Sequence, residues 1–259
     1  MTRYGLIGEK LGHSFSKIIH EQLADYTYDL IPLDKDAFYD FMKKKEFSAL
    51  NVTIPYKRDV LPYLTHIDES AKSIGAVNTI VNRNGILHGY NTDYFGFLYT
   101  IKKHHLTISG KKVLVLGNGG AAQAVFAALR SLQPSELITV KYKVEPDTCT
   151  YEEAATLHHD ADFIVNTSPV GMYPNVDASP IDLTPYNNLS AVIDIIYNPL
   201  TTKFMQQAIE KNVPAINGLE MLVAQAKYAV ELFLDVTISD EKIEEIHTKL
   251  LQELAQKNE

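Results

Sequence analysis

Short apolar runs alternate with amphipathic stretches through the first hundred residues, which is the pattern of strands separated by crossover helices. Tyr4–Ile7 predicts a first strand, and Ser14 and Ser16 offer helix-capping hydroxyls ahead of a helix reaching about Ala24. Tyr28–Leu33 predicts a second strand. Asp36–Lys45 carries Phe38, Phe41 and Met42 on one helical face, and Ala49–Ile54 predicts a third strand stopped by Pro55. Further helices are expected around Val60 and Ala71. Asn78–Val81 and Ile86–Tyr90 flank Asn84-Gly85, a pair that tolerates positive φ, so an antiparallel hairpin is expected on the sheet edge. Asp93 follows at its end, before a helix from Tyr94 to about His104.

The polar stretch Ser109-Gly110-Lys111 marks a boundary, and the pattern then starts again. Val113–Leu116 is an all-apolar strand, Ala121–Leu132 an Ala-rich helix and Leu137–Val140 the next strand, together one βαβ unit. A helix over Tyr151–Leu157, strands at Phe163–Val165, Ala191–Ile195 and Pro214–Ile216, and a helix over Thr202–Lys211 follow. Two long amphipathic helices, Met221–Phe233 and Glu241–Gln256, close the chain and are expected to pack back on the first lobe. The fold class is therefore α/β with two domains: an N-terminal α/β lobe with a mostly parallel sheet, and a second α/β lobe. Residues 1–101 with 218–259 form the first and 102–217 the second, with the site expected in the cleft between them.

Composition narrows the function classes. With 24 Lys plus Arg against 32 Asp plus Glu, the formal charge is -8. No basic field exists to hold a phosphate backbone, so nucleic acid is not an expected partner. No run reaches the length of apolar sequence a membrane span needs, and Met1–Gly8 lacks the basic start of a secretion signal. Membrane partners are not expected, and a cytoplasmic location is. The single cysteine, Cys149, cannot close an internal disulfide and is expected in a loop or at the surface. The nine histidines, His13, His20, His66, His88, His104, His105, His158, His159 and His247, show no ligand spacing with a carboxylate on one helix, so no metal is expected.

Gly117-Asn118-Gly119-Gly120-Ala121-Ala122 matches G-x-G-x-x-A directly after a strand and at the mouth of a helix. Gly117 permits the tight turn, Gly119 lets backbone approach a pyrophosphate, and the helix start supplies unpaired N–H groups and partial positive charge. A plain tight turn and an S-adenosylmethionine site are the competing readings. NAD enzymes carry an acid after the second strand to bond the ribose 2′-hydroxyl. Here that place holds Lys141-Tyr142-Lys143, either a solvated loop or a cationic seat for a 2′-phosphate. On an extended segment Lys141 and Lys143 would point the same way, and NADP is then the expected cofactor, with NAD as the alternative. In the first lobe, Ser14, Ser16, Asn51, Thr53, Lys57, Asn78, Asn91 and Asp93 fall at strand ends and in the loops after them, where open α/β sheets place ligands. Hydroxyls and amides there suit a polyhydroxyl ligand, while Lys57 and Asp93 add proton transfer. N-capping or turn formation accounts equally for Ser16 and Asp93.

Six segments appear in an order that resembles the shikimate dehydrogenases: Gly12-His13-Ser14-Phe15-Ser16, Asn51-Val-Thr53-Ile-Pro55-Tyr-Lys57, Gly75-Ala-Val-Asn78-Thr79, Gly89-Tyr-Asn91-Thr-Asp93, Gly117-Asn-Gly-Gly120-Ala121, and Gly218-Leu-Glu-Met-Leu-Val-Ala-Gln225. The resemblance covers nearly the whole chain, and it implies that the first lobe is a substrate lobe and the second a Rossmann-type dinucleotide-binding lobe. It implies reversible NADPH-linked reduction of 3-dehydroshikimate to shikimate, in chorismate and aromatic amino-acid biosynthesis. By the same resemblance Ser14 and Ser16 hold the substrate carboxylate, with Tyr197 near it, and Thr53, Asn78, Asp93 and Gln225 hold its hydroxyls. Lys57 is the implied acid/base, with Asp93 positioning it, and Ile195 and Gly218 lie at the nicotinamide. Thr167-Ser168-Pro169 is implied to line the cofactor. Where the family places an arginine on the adenosine 2′-phosphate, this chain has none. A quinate or aminoshikimate dehydrogenase is the nearest rival reading, and a nucleotide-sensing protein without turnover the rival from another class. The chain is expected to act as a monomer or a homodimer.

Overall fold

The computed structural model describes residues 3–12, 14–143 and 145–257. His13, which belongs to the first family motif and to the histidines weighed for metal binding, lies outside the described residues. So do Met1, Thr2, Asn258 and Glu259 at the ends of the expected substrate lobe.

The chain divides into two compact units, Met1–Tyr99 with Leu222–Glu259, and Thr100–Met221. In the first unit the elements run β1 (Tyr4–Gly8), α1 (Ser16–Leu23), β2 (Tyr28–Pro32), α2 (Lys35–Lys44), β3 (Ala49–Val52), a 3-10 turn (Leu61–Tyr63), β4 (His66–Ile67), α3 (Glu69–Ile74), β5 (Thr79–Arg83), β6 (Ile86–Tyr90) and the start of α4 (Thr92–Lys103), which runs on into the second unit from Thr100. Its sheet has the order β2-β1-β3-β5-β6-β4. β1 pairs in parallel with β2 and β3, whereas β5 runs antiparallel to both β3 and β6. The order corrects one expectation. The hairpin β5–β6 is not the edge, because the two-residue strand β4 lies parallel beside β6 and covers it. Around Val60 there is only the single 3-10 turn, in which Pro62 occupies a first-turn position.

Local chemistry explains the boundaries. α2 starts where Asp34 accepts a hydrogen bond from the Ala37 N–H at 2.9 Å, and it ends where Lys45 turns left-handed at φ 52°. Phe38 and Met42, one turn apart, are its buried face. α1, by contrast, has no side-chain cap from its N-cap residue Phe15, and it is Ser14 Oγ that accepts from the N–H of Ser16, the first residue of the helix, at 3.2 Å. β3 is buried along its whole length, as an apolar strand covered on both faces should be.

The second unit contains β7 (Lys112–Leu116), α5 (Gly120–Ser131), β8 (Glu136–Val140), β9 (Thr148–Cys149), α6 (Tyr151–Leu157), β10 (Phe163–Asn166), β11 (Ala191–Asp194), α7 (Lys203–Glu210) and β12 (Ala215–Ile216). Its sheet order is β12-β11-β10-β7-β8-β9, with every pair parallel. That is the Rossmann-type arrangement with strand order reversing beside β7. Cys149 sits on β9 in the core, buried with Tyr186 and Ile181, and burial raises its thiol pKa, so the expected loop or surface position was wrong. The short strand β9 carries no sequence pattern long enough to read.

α8 (Leu219–Leu234) and α9 (Glu241–Lys257) complete the chain. Ala229 and Phe233 of α8 join Leu6, Tyr28 and Ala49 in one apolar cluster of the first unit, and α9 packs against α1. No helix among the described residues is long and apolar enough to cross a membrane.

In that cluster His20 is fully buried, stacked on Tyr28 with ring centroids 3.9 Å apart, and shares a 2.6 Å hydrogen bond with the Tyr26 hydroxyl. Desolvation lowers its pKa from 6.5 to about 3. The unfolded chain therefore takes up a proton near pH 6.5 that the folded chain refuses until far lower. The depressed pKa makes the stability of the neutral form complete above pH 6.5 and progressively lost as pH falls toward 3, by roughly 1.4 kcal/mol per unit. Urea unfolding at pH 7 and pH 5 should show wild type losing about 2 kcal/mol more than His20→Phe over that interval. Equal losses in the two proteins would contradict the assignment.

Candidate active site

The loop after β3 carries the first candidate group. Thr53 donates its N–H to the Ile7 carbonyl at 2.9 Å, and Gly8 makes this approach feasible, because a Cβ there would stand 2.6 Å from the Thr53 methyl. Tyr56 then anchors the loop. Its hydroxyl donates to the Leu33 carbonyl at 2.7 Å and its ring stacks on Phe38 at 4.1 Å. With Tyr56 held and the Lys57 carbonyl accepting from the Val77 N–H at 2.8 Å, the backbone at Lys57 is fixed on both sides. It meets Asp93, Nζ to Oδ2 2.6 Å, with the two side chains only 16% and 13% exposed. A cation and a carboxylate this sheltered attract each other more strongly than on an open surface.

Thr92, the residue before Asp93, is held by buried amides and hydroxyls. The Thr92 N–H, at the start of α4, donates to Asn78 Oδ1 at 2.7 Å, so a side chain from the segment before β5 caps this helix. Asn78 Nδ2 gives one of its two N–H groups to Thr92 Oγ1 at 3.1 Å. Thr79 Oγ1 donates to Asn78 Oδ1 at 2.9 Å and accepts from Asn51 Nδ2 at 3.1 Å. The Tyr28 hydroxyl closes the chain by donating to Asn51 Oδ1 at 2.8 Å. Gln225, on α8, donates to the Leu222 carbonyl at 2.8 Å and lies with Oε1 3.5 Å from Thr92 Oγ1. Asn91 donates to the Ala76 carbonyl at 2.9 Å. Ser14 Oγ accepts from the Ser16 N–H at 3.2 Å and donates to Ser16 Oγ at 3.0 Å. The first unit thus joins Lys57, Asp93, Asn78 and Gln225 through one run of contacts, with Ser14 and Ser16 as a separate pair and Thr53 at the loop's start. Thr92, the common partner of Asn78 and Gln225, escapes sequence reasoning because nothing in its spacing marks it.

In the second unit, Gly117 has φ 98°, a left-handed value that favours glycine, and a Cβ on it would stand 3.1 Å from Thr167 Oγ1. Its N–H donates to the Val140 carbonyl at 3.0 Å. Gly119 is the N-cap of α5 with no side-chain cap, and a Cβ there would meet nothing within 4 Å. Asn118, Gly119 and Gly120 are exposed, Ala121 is half-buried and Ala122 is buried against the sheet. Asn118 Oδ1 accepts from Gln123 Nε2 at 2.5 Å. Exposed, uncapped N–H groups at a helix start with open space before them suit a pyrophosphate.

β11 ends at Asp194, which is fully buried and accepts from Thr202 Oγ1 at 2.7 Å, Asn166 Nδ2 at 3.0 Å and the Ile196 N–H at 3.1 Å. Burial raises its pKa to about 6 against the pull of those three donors. The fixed turn carries Ile195 and the half-buried Tyr197, whose phenol pKa burial raises. Gly218 closes on it from the other side, its N–H donating to the Ile196 carbonyl at 3.0 Å. A Cβ on Gly218 would stand 2.0 Å from the Ile195 carbonyl oxygen. Tyr197, implied near the substrate carboxylate, therefore stands in the second unit beside Ile195 and Gly218. Lys141 and Lys143 depart from the expected geometry. β8 stops at Val140 and the chain bends at residues 142 and 143, so strand alternation does not align the two lysines. Lys141 instead pairs with Glu145 at 2.6 Å, and Lys143 is exposed.

The paired lysine and carboxylate, together with the glycine turn on a parallel sheet, are features of a two-unit, Rossmann-type oxidoreductase. The family description "Shikimate dehydrogenase substrate binding domain" matches residues 6–80. A shikimate dehydrogenase (NADP(+)) of Clostridium beijerinckii is 38% identical over 257 residues, covering 93% of this chain and 94% of that protein. The chain belongs to the shikimate dehydrogenase family. Among solved structures, a chorismate mutase/shikimate 5-dehydrogenase fusion protein from Clostridium acetobutylicum superposes with a TM-score of 0.92 at 36% identity, covering 98% of this chain and 99% of that one. The Thermus thermophilus shikimate 5-dehydrogenase, solved with NADP(H) and shikimate, gives 0.85 at 28% identity, covering 96% and 99%.

The Gly218 contact predicts its own test. Gly218→Ala must push the Ile195 backbone aside and should lower stability to urea by about 2 kcal/mol. Unchanged unfolding would show that the turn yields without strain.

Proposed function

We propose that the protein is a shikimate dehydrogenase that reduces 3-dehydroshikimate to shikimate with NADPH, reversibly, as a step toward chorismate and the aromatic amino acids. The observation that carries this reading is the sheltered 2.6 Å pair of Lys57 and Asp93 in a unit lined with hydroxyls and amides. Met1–Tyr99 with Leu222–Glu259 is the proposed substrate-binding domain and Thr100–Met221 the NADP-binding domain.

Each residue then has a chemical task. Ser14 and Ser16 supply hydroxyls for the substrate carboxylate. Thr53, Gln225 and the second N–H of Asn78 Nδ2 address the ring hydroxyls, which accept and donate in the same way. Gly117, Asn118, Gly119, Gly120 and Ala121 cradle the pyrophosphate at the start of α5. Ile195 and Gly218, whose backbones are in close contact, lie at the nicotinamide. The cofactor supplies the hydride that adds to the ring carbonyl carbon. Lys57 in its ammonium form gives a proton to the carbonyl oxygen as that hydride arrives, and in the reverse direction the neutral amine takes it back. Asp93 orients the lysine Nζ and offsets its positive charge before the transfer.

A steady-state assay of shikimate oxidation with NADP tests the reading, with quinate and NAD as the competing pair. Shikimate with NADP should give the highest kcat/KM. Lys57→Ala should lower kcat by about 100-fold or more with a much smaller change in shikimate KM. A variant with near wild-type kcat would remove the acid/base role.

A further inference from the structure

We propose that the Lys141–Glu145 ion pair sets how strongly this chain prefers NADP over NAD, which rests on the NADP-binding role assigned to the second unit. Val140 accepts the Gly117 N–H, so the residue following it stands beside the glycine turn. That residue is Lys141, whose own N–H donates to the Cys149 carbonyl at 2.9 Å. The partner is equally fixed. Glu145 donates its N–H to Thr148 Oγ1 at 2.9 Å, its carbonyl accepts from that same hydroxyl at 2.9 Å, and Thr148 belongs to β9, paired with Thr139 of β8. The two charged groups therefore meet because the short loop is closed at its base, and the contact is 2.6 Å with Lys141 20% and Glu145 54% exposed.

In a dinucleotide fold the group met at this strand end is the adenosine 2′ substituent. A carboxylate there accepts the 2′-hydroxyl of NAD, and a cation takes the 2′-phosphate of NADP. This chain places one of each in a single pair. A 2′-phosphate with close to two negative charges must take Lys141 from Glu145 and tolerate the carboxylate it leaves, while a 2′-hydroxyl can donate to Glu145 with the pair intact. With Glu145 open to solvent, the pair is weak enough for a phosphate to compete. NADP selectivity is accordingly held below what Lys141 alone would give.

Titration calorimetry of wild type, Glu145→Gln and Lys141→Ala with NADP+, NAD+, 2′,5′-ADP and 5′-AMP reads this without turnover. Glu145→Gln should tighten NADP+ and 2′,5′-ADP by about 5-fold to 10-fold and leave NAD+ and 5′-AMP unchanged or weaker. Lys141→Ala should weaken NADP+ and 2′,5′-ADP by about 10-fold, leaving 5′-AMP within 2-fold. An unchanged NADP+ to NAD+ ratio in both variants, or equal losses of both cofactors, would overturn the assignment. Wild type that binds neither dinucleotide would instead overturn the NADP-binding role itself.

Discussion

A sheltered ion pair between Lys57 and Asp93 is the constraint on which the first unit turns. The two residues lie 36 apart in sequence, one in the loop behind β3 and the other in the first turn of α4, and 2.6 Å separates their charged atoms. Such a contact needs both segments held to within a fraction of an ångström. The Lys57 side is held by the Tyr56 ring and hydroxyl, and the Asp93 side by the bond from the Thr92 N–H to Asn78 Oδ1. Asn78 depends in turn on Thr79, Asn51 and Tyr28. Leaving any buried member of that run unpaired costs about 1 to 3 kcal/mol, so the run stands or falls together.

The second unit solves a different problem, since it must leave polar backbone exposed. It does so with close backbone approaches. Gly117 turns left-handed against Thr167, and Gly218 presses on the Ile195 carbonyl where no side chain fits. Asp194 draws the Asn166, Ile196 and Thr202 donors together beneath that turn. One buried carboxylate thereby fixes where three segments meet, although its own ionisation is opposed by burial.

Much of this is legible in the chain. Val113–Leu116 and Phe163–Val165 are apolar runs of the kind that covered parallel strands bury, and the helix expected over Tyr151–Leu157 is α6, which Thr150 and Glu153 start with a reciprocal capping box. The glycine turn identifies its strand and helix because each glycine answers a steric demand. What the pattern hides depends on contacts across the fold. The two residues of β4 are too few for a period, Cys149 is drawn into the core by a strand equally short, and Thr92 matters only because Asn78 arrives from elsewhere. Glu145 is hidden for the same reason. Its spacing from Lys141 is helical, but the segment is a loop closed by Thr148, so helical periodicity gives no reason to pair them.

In the proposed mechanism Lys57 and Asp93 act as one unit in proton transfer. A double-mutant cycle on kcat, comparing Lys57→Ala, Asp93→Ala and the double variant under identical shikimate and NADP concentrations, tests it most directly. The double variant should be hardly slower than Lys57→Ala alone, because removing the lysine leaves the carboxylate nothing to orient. Losses that simply add would contradict it, for they would mean that the two groups serve the reaction separately.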